Sequence, residues 1–267
     1  MPRSMGLIAT FLAAFAVLMI ADATADRADP SALWQIVHYL CVPDQQRHGN
    51  PAPCARVELR RGVARGHVVL KDINGTTQYL LLPTARVSGI ESPLLLAPDA
   101  PNYFAAAWRA RSFVEAAVRH PLPRDDISLA VNSVTGRTQN QLHIHIDCIR
   151  ADVRAALRRR AAAIGPHWAP LGELLQGHRY RALRVAQPEL GGVNPFVALA
   201  DDLAHPQATM GSETLVVAGM MWGDGTPGFV LLAHRADPAA GDGGSGEELQ
   251  DHGCAVAAAA AAAALRP

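Results

Sequence analysis

Three ionisable side chains stand at alternate positions in one short stretch of this chain. His143, His145 and Asp147 lie within Gln141–Ile149, where polar and apolar residues alternate strictly. Alternate side chains of a β-strand point to opposite faces, so we predict a strand with one apolar face and one face that carries two imidazoles and a carboxylate. Two histidines at this spacing are close enough to share one phosphate group or one metal ion.

Two kinds of chemistry fit this face. A His-x-His pair on one strand has a good chelating spacing for a metal ion. Alternatively, one imidazole attacks phosphorus while its neighbours orient it. The uncharged residues Asn132, Gln139 and Asn140 favour the second interpretation, because they can hydrogen-bond phosphate oxygens and a leaving group. A metal site would need further ligands nearby, and Asp147 alone is present. The alternative is a half-exposed strand on which the histidines occur by chance. We disfavour it, because three ionisable side chains fall on the same face.

The segment His143–Asp147 resembles the histidine-triad signature, His-φ-His-φ-His, in which φ is apolar. That family also carries an Asn eleven residues before the first His and a Gln four residues before it, which fall on Asn132 and Gln139. The wider segment Ser128–Arg150 resembles one branch of the superfamily, the bacterial CDP-diacylglycerol pyrophosphatases. The resemblance extends from about Ser31 to Cys254.

This resemblance implies hydrolysis of CDP-diacylglycerol to CMP and phosphatidate in two in-line steps. Neutral His145 would attack the phosphorus attached to the cytidine ribose and form a histidine-linked CMP, which water then cleaves. His143 and backbone amides would stabilise the equatorial oxygens. Gln139 or Asn140 would support the leaving oxygen, and Asn132 would hold the loop or the nucleotide. The scheme needs no metal and no cofactor.

A hairpin is predicted over Gly66–Pro83, where two β-rich runs flank the strong turn signal Asn74-Gly75. In the histidine-triad family an Asp-Ile pair at this point contacts the nucleotide. The resemblance therefore implies that Asp72 accepts hydrogen bonds from ribose hydroxyls and that Ile73 lies against the base, with Lys71 in the same nucleotide-binding group. The alternative is that Asp72 only caps the turn.

Two positions depart from the family pattern. Gln78 stands where many members carry a His, and we expect no more than a polar contact from it. Asp147 replaces the third His. A carboxylate should repel phosphate, but it can accept a hydrogen bond from an imidazole, which fixes the tautomer and favours the imidazolium. We therefore predict that replacing Asp147 by alanine slows turnover without abolishing it.

The chain is electrically balanced, with 24 basic and 24 acidic side chains, which argues against nucleic acid as its main partner. Residues Gly6–Ala21 form an uninterrupted apolar run behind Arg3. A spanning helix needs about 20 residues, so this shorter run suits a signal-peptide core or an uncleaved anchor. The resembling family carries such an anchor. We predict that residues 1–25 tether the chain to the bacterial inner membrane, with the catalytic domain in the periplasm and the membrane surface as a partner.

Four cysteines in an exported chain suggest two disulfides, with three possible pairings, and four free buried thiols are the alternative. Cys41 and Cys54 bracket a Pro-rich polar loop, so pairing them is the local choice. Cys148 would then pair with Cys254 and tie the C-terminal segment to the strand that carries the histidines.

The remaining patterns predict an α+β fold, a histidine-triad-like antiparallel sheet with flanking helices. Residues 31–164 would form the catalytic half and residues 165–267 a C-terminal α+β half with an alanine-rich tail. A second apolar hairpin, Thr214–Arg235, has the outline of the first, so the C-terminal half is interpreted as a degenerate copy without a site of its own. The chain would be a monomer with pseudo-dimeric halves or a homodimer. Predicted helices cover Ser31–Leu40, Asn102–Arg119, Ala151–Ile164, Pro195–Ala204 and Glu247–Cys254, and predicted strands cover Ala55–Arg60 and Ile127–Val131.

Three other functions stay open: a related hydrolase or nucleotidyl transferase with a soluble substrate, a strand-borne metal site, and a non-enzymatic exported binding module. The predicted anchor favours a lipid substrate, and the Asn–Gln–His–His set favours catalysis. The arginines of Ala151–Ile164 are either solvated or directed at anionic headgroups or the substrate. The other nine histidines share no spacing and are expected on the surface or in loops: His38, His48, His67, His120, His167, His178, His205, His234 and His252.

Overall fold

The computed structural model describes residues 29–257. The predicted anchor at residues 1–25 and most of the alanine run lie outside the described residues. No helix within residues 29–257 combines the length and apolarity needed to cross a membrane.

One antiparallel sheet of ten strands organises the chain. From edge to edge the order is β1-β2-β3-β5-β4-β8-β9-β7-β6, and β10 pairs with β5 beyond the end of β3. The predicted α+β class is confirmed. The strands are β1 (Arg56–Glu58), β2 (His67–Lys71), β3 (Tyr79–Pro83), β4 (Ile127–Val131), β5 (Ile144–Ile149), β6 (Ala169–Leu175), β7 (His178–Val185), β8 (Glu213–Met221), β9 (Pro227–Arg235) and β10 (Gln250–Asp251).

The two halves of the sheet have the same strand order on either side of the β4–β8 pair. Counting outward, β4, β5, β3 and β2 correspond to β8, β9, β7 and β6. The hairpin β6–β7 therefore takes the place of β2–β3. The prediction that Thr214–Arg235 repeats the first hairpin assigns the wrong strands. Its two strands, β8 and β9, correspond to β4 and β5. The repeated order is what a duplicated unit would produce, and its relation to a histidine-triad unit stays a prediction.

Helices cover both faces of the sheet. On one face, Phe104 and Trp108 pack against Ile144 and Ile146 of β5. On the other face, α5 covers the β7–β9 end, and the N-terminal helical segment covers β2 and β3. Between these two groups of helices, the face of β5 that carries His145 lines a cavity. The α-helices are α1 (Ala32–Gln35), α2 (Val42–His48), α3 (Tyr103–Arg109), α4 (Ser112–Val118), α5 (Ala151–Arg160), α6 (Pro195–Ala200) and α7 (Pro206–Thr209).

The N-terminal helix runs further than predicted. A π-helical segment, Ile36–Cys41, joins α1 to α2, so helical backbone continues to His48 instead of ending at Leu40. Pro43, which has no backbone N–H to donate, stands directly after this π-helical segment, in the first turn of α2. Gly49, with φ +67°, then ends the helix in the left-handed conformation.

Two further predicted helices differ from the structure. Asn102–Arg119 is broken between Arg109 and Ser112 into α3 and α4. Glu247–Cys254 is not one helix: Gly246–Leu249 forms a 3-10 turn and β10 follows it. The backbone of β10 hydrogen-bonds to β5, a long-range pairing that overrides the local preference.

The arginines of α5 and its N-terminus all bind acceptors of the protein itself. Such pairs satisfy the cations locally, so this helix offers no free basic face to headgroups or substrate. Arg150 pairs with Asp152, Arg154 with Asp126, Arg158 with Asp125 and Arg159 with Glu173, and Arg160 donates to the carbonyl of Leu171.

Both predicted disulfides are present, Cys41–Cys54 and Cys148–Cys254, with Cα–Cα distances of 5.6 and 5.2 Å. The first closes a short loop beside the N-terminal helical segment. The second links β5 to the residues that follow β10, across a sequence separation of 106. It therefore holds His252 beside the strand that carries the predicted catalytic residues.

Removing the second disulfide should damage both stability and activity. We expect the double variant Cys148→Ala/Cys254→Ala to lose about 4–5 kcal/mol of unfolding free energy, since the cross-link closes a long loop in the unfolded chain. The matched variant Cys41→Ala/Cys54→Ala should lose about 3 kcal/mol and keep its turnover. Urea unfolding and product release measure the two effects. Full activity in the Cys148→Ala/Cys254→Ala variant would contradict the positioning of His252 by this disulfide.

Candidate active site

The predicted strand brings its three ionisable residues together as expected. His143 and His145 are nearly buried, Asp147 is fully buried, and the two imidazole rings lie edge to face with centroids 4.8 Å apart. Antiparallel pairing places Leu80 of β3 and Ala130 of β4 beside His145. Directly opposed side chains share one face of a sheet, so these small or apolar neighbours form the wall of the site.

His143 is oriented by its own backbone. Its Nδ1–H donates to the carbonyl oxygen of Gln141 at 2.7 Å. A backbone carbonyl only accepts, so in the neutral ring Nε2 keeps its lone pair and faces the site. Burial lowers the pKa of His143, which keeps the ring neutral. The ring can therefore receive a proton or polarise a ligand oxygen when a substrate brings negative charge.

His145 is a neutral imidazole between two polar partners. The amide nitrogen of Gln78 donates to its Nδ1 at 2.9 Å, and Oε1 of Glu247 lies 3.2 Å from its Nε2. Burial lowers the pKa of His145 well below its usual range, and the neighbouring His143 and His252 act in the same direction. A nucleophilic imidazole must be uncharged, so this environment suits the predicted role.

Glu247 was not anticipated from the sequence. Its carboxylate accepts hydrogen bonds from Asn132 Nδ2 at 2.7 Å and from Gln78 Nε2 at 3.1 Å. Asn132 also accepts from the backbone of Gly246 at 2.8 Å, so it holds the loop, one of the two roles predicted for it. Gln78 had been expected to make no more than a polar contact, and it joins Glu247 to His145.

The site also contains buried polar atoms that lack a hydrogen-bond partner within residues 29–257. These are Oε1 of Gln78 and Nε2 of His145. Leaving a buried polar atom unpaired costs about 1–3 kcal/mol. Both atoms belong to side chains that line or adjoin the same cavity, which indicates that a polar ligand completes the site.

Asp147 binds an imidazole, but one from another part of the chain. Its Oδ2 accepts from Nδ1 of His252 at 2.8 Å, while its Oδ1 accepts from the hydroxyl of Thr77 at 2.6 Å and the amide of Cys148 at 2.8 Å. The hydrogen bond that His252 donates to Asp147 raises the pKa of His252, which favours the imidazolium. His252 was expected on the surface or in a loop, and it does lie in a turn, but its ring reaches the buried Asp147. Its position two residues before Cys254 was the available signal.

His252 therefore brings a third imidazole close to His145 and Glu247. Its Nε2 lies 4.0 Å from Oε2 of Glu247, on the site side of the ring. The carboxylate of Asp147 does not line the cavity, and it acts on the site through the hydrogen-bonded ring of His252. The raised pKa of His252 favours a positive charge here, where a carboxylate alone would repel phosphate.

The predicted nucleotide-binding residues lie at the edge of the site. Asp72 accepts from the backbone of Asn74 at 2.9 Å, so it does cap the turn, and its second oxygen lies 3.9 Å from Nδ1 of His145. Ile73 is 97% exposed. Lys71 folds back and donates to the carbonyls of Asp72 and Gly75 at 2.8 and 3.1 Å. The structure thus directs Lys71 to its own turn rather than to the cavity centre.

The predicted leaving-group residues have structural partners. Gln139 accepts from the backbone of Leu33 at 3.1 Å and donates to the carbonyl of Asp29 at 2.9 Å, so its amide holds the N-terminal segment. Asn140 is exposed, accepts from Arg137 at 3.4 Å and does not line the cavity. Gln139 lines the cavity, and both residues hold the segment beside the site, so their predicted contact with a leaving oxygen stays a prediction.

The cavity above these residues has a volume of about 440 Å³. Its floor is polar, with His143, His145, Asp72 and Glu247. One wall is apolar and comes from the N-terminal helical segment and the first hairpin. Such a site can hold a charged diphosphate beside a hydrophobic group. The apolar lining residues are Ala32, Leu33, Ile36, Leu70, Ile73 and Leu80.

Comparison with known families agrees with this chemistry. A family described as CDP-diacylglycerol pyrophosphatase matches residues 28–258, which is most of the chain and includes every residue of the site. Members of that family are hydrolases that act on CDP-diacylglycerol. The chain belongs to the CDP-diacylglycerol pyrophosphatase family.

Proposed function

We propose that this chain splits the diphosphate of CDP-diacylglycerol into CMP and phosphatidate through a histidine-linked CMP, with His145 as nucleophile. Family membership supports the substrate and the hydrolysis. The observation that carries the mechanism is the state of His145, which is buried, uncharged and without a hydrogen-bond partner at Nε2 within residues 29–257. The resemblance of His143–Asp147 to the histidine-triad signature supports the same role.

The first step forms a bond from Nε2 of His145 to the phosphorus attached to the cytidine ribose. The bond from that phosphorus to the bridging oxygen breaks, and phosphatidate leaves. His252, whose imidazolium is favoured by its hydrogen bond to Asp147, gives the departing oxygen a proton. Water then attacks the same phosphorus, the phosphorus–nitrogen bond breaks, and CMP leaves. The proton from water returns to His252, which restores the site.

Attack requires a lone pair on Nε2 of His145. The orientation of the Gln78 amide decides whether the ring proton lies on Nε2 or on Nδ1. While its amide nitrogen faces Nδ1, the ring proton of neutral His145 lies on Nε2. Half a turn of the Gln78 amide would bring the unpaired Oε1 to Nδ1, where it would accept the ring N–H and free Nε2 for attack. The amide nitrogen also binds Glu247, so this rotation follows when Glu247 withdraws.

Glu247 occupies the place that a substrate phosphate needs. Its carboxylate already takes the donors Asn132 and Gln78 and faces the rings of His145 and His252. Two anions cannot share these groups at close range, because their repulsion in a partly buried site amounts to several kcal/mol, about 4 at an effective dielectric of 20. We therefore propose that the incoming phosphate displaces the Glu247 carboxylate.

Removing the charge of Glu247 should strengthen product binding. We expect Glu247→Gln to bind CMP about tenfold more tightly than the wild type, because the neutral amide no longer repels the phosphate. Isothermal titration with CMP measures this, and the exposed Glu189→Gln serves as the matched control, for which we expect no change. Weaker CMP binding by Glu247→Gln would mean that the carboxylate contacts the nucleotide favourably and is not displaced.

We propose that the cavity meets the membrane at its apolar edge. The residues Ala32 and Leu33 line it and follow the predicted anchor closely in the chain. Ile73 at the rim and Tyr39 and Leu40 on the N-terminal helical segment are exposed apolar side chains. The two disulfides favour an oxidising compartment, which agrees with a catalytic domain in the periplasm of a bacterial inner-membrane protein.

The substrate is tested by comparing lipid and soluble diphosphates. CMP release is measured from CDP-diacylglycerol in phospholipid vesicles and from a water-soluble CDP-alcohol at equal concentration. We expect the lipid to be preferred by at least about tenfold, since the apolar wall binds acyl chains. Preference for the soluble ester would favour a soluble nucleotide diphosphate as substrate. Binding of both without release of CMP would favour the non-enzymatic module.

A further inference from the structure

A second group of ionisable side chains lies in the C-terminal half of the sheet, on the same face as His145. His178 and His234 come from the neighbouring strands β7 and β9, and Asp242 comes from the loop after β9. One ligand atom from each of the three lies within 4.8 Å of the others. The two imidazole rings stack with centroids 5.0 Å apart and an interplanar angle of 22°. The sequence had placed these histidines apart on the surface, and the strand pairing brings them together.

One nitrogen of each ring is already committed to a fixed acceptor. Nδ1 of His234 donates to the backbone carbonyl of Arg179 at 3.0 Å. Nδ1 of His178 donates to the carboxylate of Glu248 at 2.8 Å. Glu248 is itself held by the hydroxyl of Tyr180 at 2.6 Å, and burial raises the pKa of Tyr180, which keeps this donor protonated. Metal-binding histidines are oriented in this way, with one nitrogen hydrogen-bonded to a carbonyl or carboxylate and the other left for the ion.

The remaining nitrogens of the two rings both face one oxygen of the Asp242 carboxylate. Nε2 of His234 lies 2.5 Å from Oδ2 of Asp242, and Nε2 of His178 lies 3.9 Å from the same oxygen. In a neutral ring whose Nδ1 carries the proton, Nε2 is an acceptor, so two acceptors meet at contact distance. Either a proton on Nε2 of His234 or a metal ion must lie between them. Two stacked imidazolium rings would repel each other, whereas one divalent cation satisfies all three atoms at once.

The geometry points to a divalent metal site formed by Nε2 of His178, Nε2 of His234 and Oδ2 of Asp242, with zinc as the ion that this ligand set suits. Two imidazoles and a carboxylate, with one position left to solvent, form a common zinc coordination. A tetrahedral zinc ion with bonds of about 2.0–2.1 Å separates its ligand atoms by about 3.3 Å. The distances from Oδ2 of Asp242 to the two imidazole nitrogens, 2.5 and 3.9 Å, lie on either side of this value. Small side-chain rotations would therefore complete the site. Asp242 and His178 are partly exposed, which leaves a path for the ion.

Such an ion would act on the loop that reaches the active site. Asp242 also accepts from the backbone of Gly244 at 2.8 Å, and Gly244 binds Ser133 through its carbonyl at 3.0 Å. The same loop continues to Glu247, beside His145, and to Glu248, beside His178. The ion would therefore join β7 and β9 to the segment that carries Glu247. Its role is structural, and it is separate from the histidines that we propose for the chemistry.

Metal uptake by the purified full-length chain tests this inference. After treatment with a chelator and its removal, the protein is titrated with Zn²⁺ and with Co²⁺, whose visible absorption reports its coordination. We expect about one ion per chain, a tetrahedral Co²⁺ spectrum and a higher melting temperature with the ion. Asp242→Asn and His234→Gln should lose all three effects. The exposed His167→Gln and the active-site variant His145→Ala should keep them.

Each alternative outcome is distinct. No uptake by wild-type protein, or uptake that Asp242→Asn leaves unchanged, would overturn the proposed site. Uptake lost in His145→Ala but retained in Asp242→Asn would place the ion at the catalytic strand instead. The variants also separate two causes of chelator sensitivity. If EDTA lowers CMP release from the wild type but not from Asp242→Asn, the ion acts through this second site.

Discussion

Replacement of His145 by alanine is expected to reduce CMP release from CDP-diacylglycerol by at least about a thousandfold, the scale of loss that follows removal of a covalent nucleophile. The reason is specific to this ring, which is uncharged, buried and directed with Nε2 into the cavity. The assay is run with EDTA present, so that the result does not depend on a bound ion. The exposed His205→Gln is the matched control and should retain full activity.

A trapping experiment distinguishes a nucleophile from a residue that only holds the site together. With label in the phosphate next to cytidine, rapidly denatured wild-type protein should carry the label on a histidine. His145→Ala should carry none. His143→Ala should still form the adduct, more slowly, because that ring stabilises oxygens and makes no bond to phosphorus. Label on the His145→Ala protein would assign the covalent step to another residue.

The pH dependence of the same reaction follows from the burial of His145. Its pKa is lowered well below the ordinary value for histidine, so protonation removes the nucleophile only when the pH falls through that lowered value. The acid limb of kcat should therefore lie below about pH 6.5, the ordinary value. An acid limb above that value would contradict a buried neutral nucleophile and would point to an exposed group.

The second large effect is expected at His252. Replacing it by glutamine should lower kcat about 10²–10³-fold, the range for losing a general acid, with a smaller change in KM. The hydrogen bond that His252 donates to Asp147 raises the pKa of His252, so the cation is present below that raised value and is lost as the pH rises through it. The wild type should therefore have an alkaline limb above the ordinary pKa of histidine, and His252→Gln should lack it.

Asp147→Asn tests whether the carboxylate acts through His252. We expect the alkaline limb to move to lower pH and kcat to fall, while activity at acidic pH stays measurable, because the ring of His252 remains. Asp147→Ala should likewise slow turnover without abolishing it. A uniform loss at every pH, with no shift of the limb, would mean that Asp147 only supports the fold. Activity equal to the wild type would remove Asp147 from the site.

Local patterns in the sequence were enough for the parts of this protein that depend on neighbouring residues. The alternation around His145 predicted a strand with a reactive face, and β5 has that face. Asn74-Gly75 predicted the first hairpin, and the β2–β3 register confirms it. The short Cys41–Cys54 spacing favoured one disulfide, and Cys148–Cys254 was the pair that then remained. These predictions hold in the structure because strand alternation and turn formation depend on only a few neighbouring residues.

Tertiary pairing alone decided the partners of the reactive strand. His252 and Glu247 are more than 100 positions from His145 in the chain, and no local spacing links them. They reach the site because β10 hydrogen-bonds to β5 where β3 ends and the Cys148–Cys254 disulfide holds the segment there. The same holds for His178, His234 and Asp242, which meet through the β7–β9 register. The alternation in the sequence was enough to identify the strand that carries the reactive side chains. Long-range backbone pairing, which no short motif encodes, fixed the side chains that complete the site around that strand.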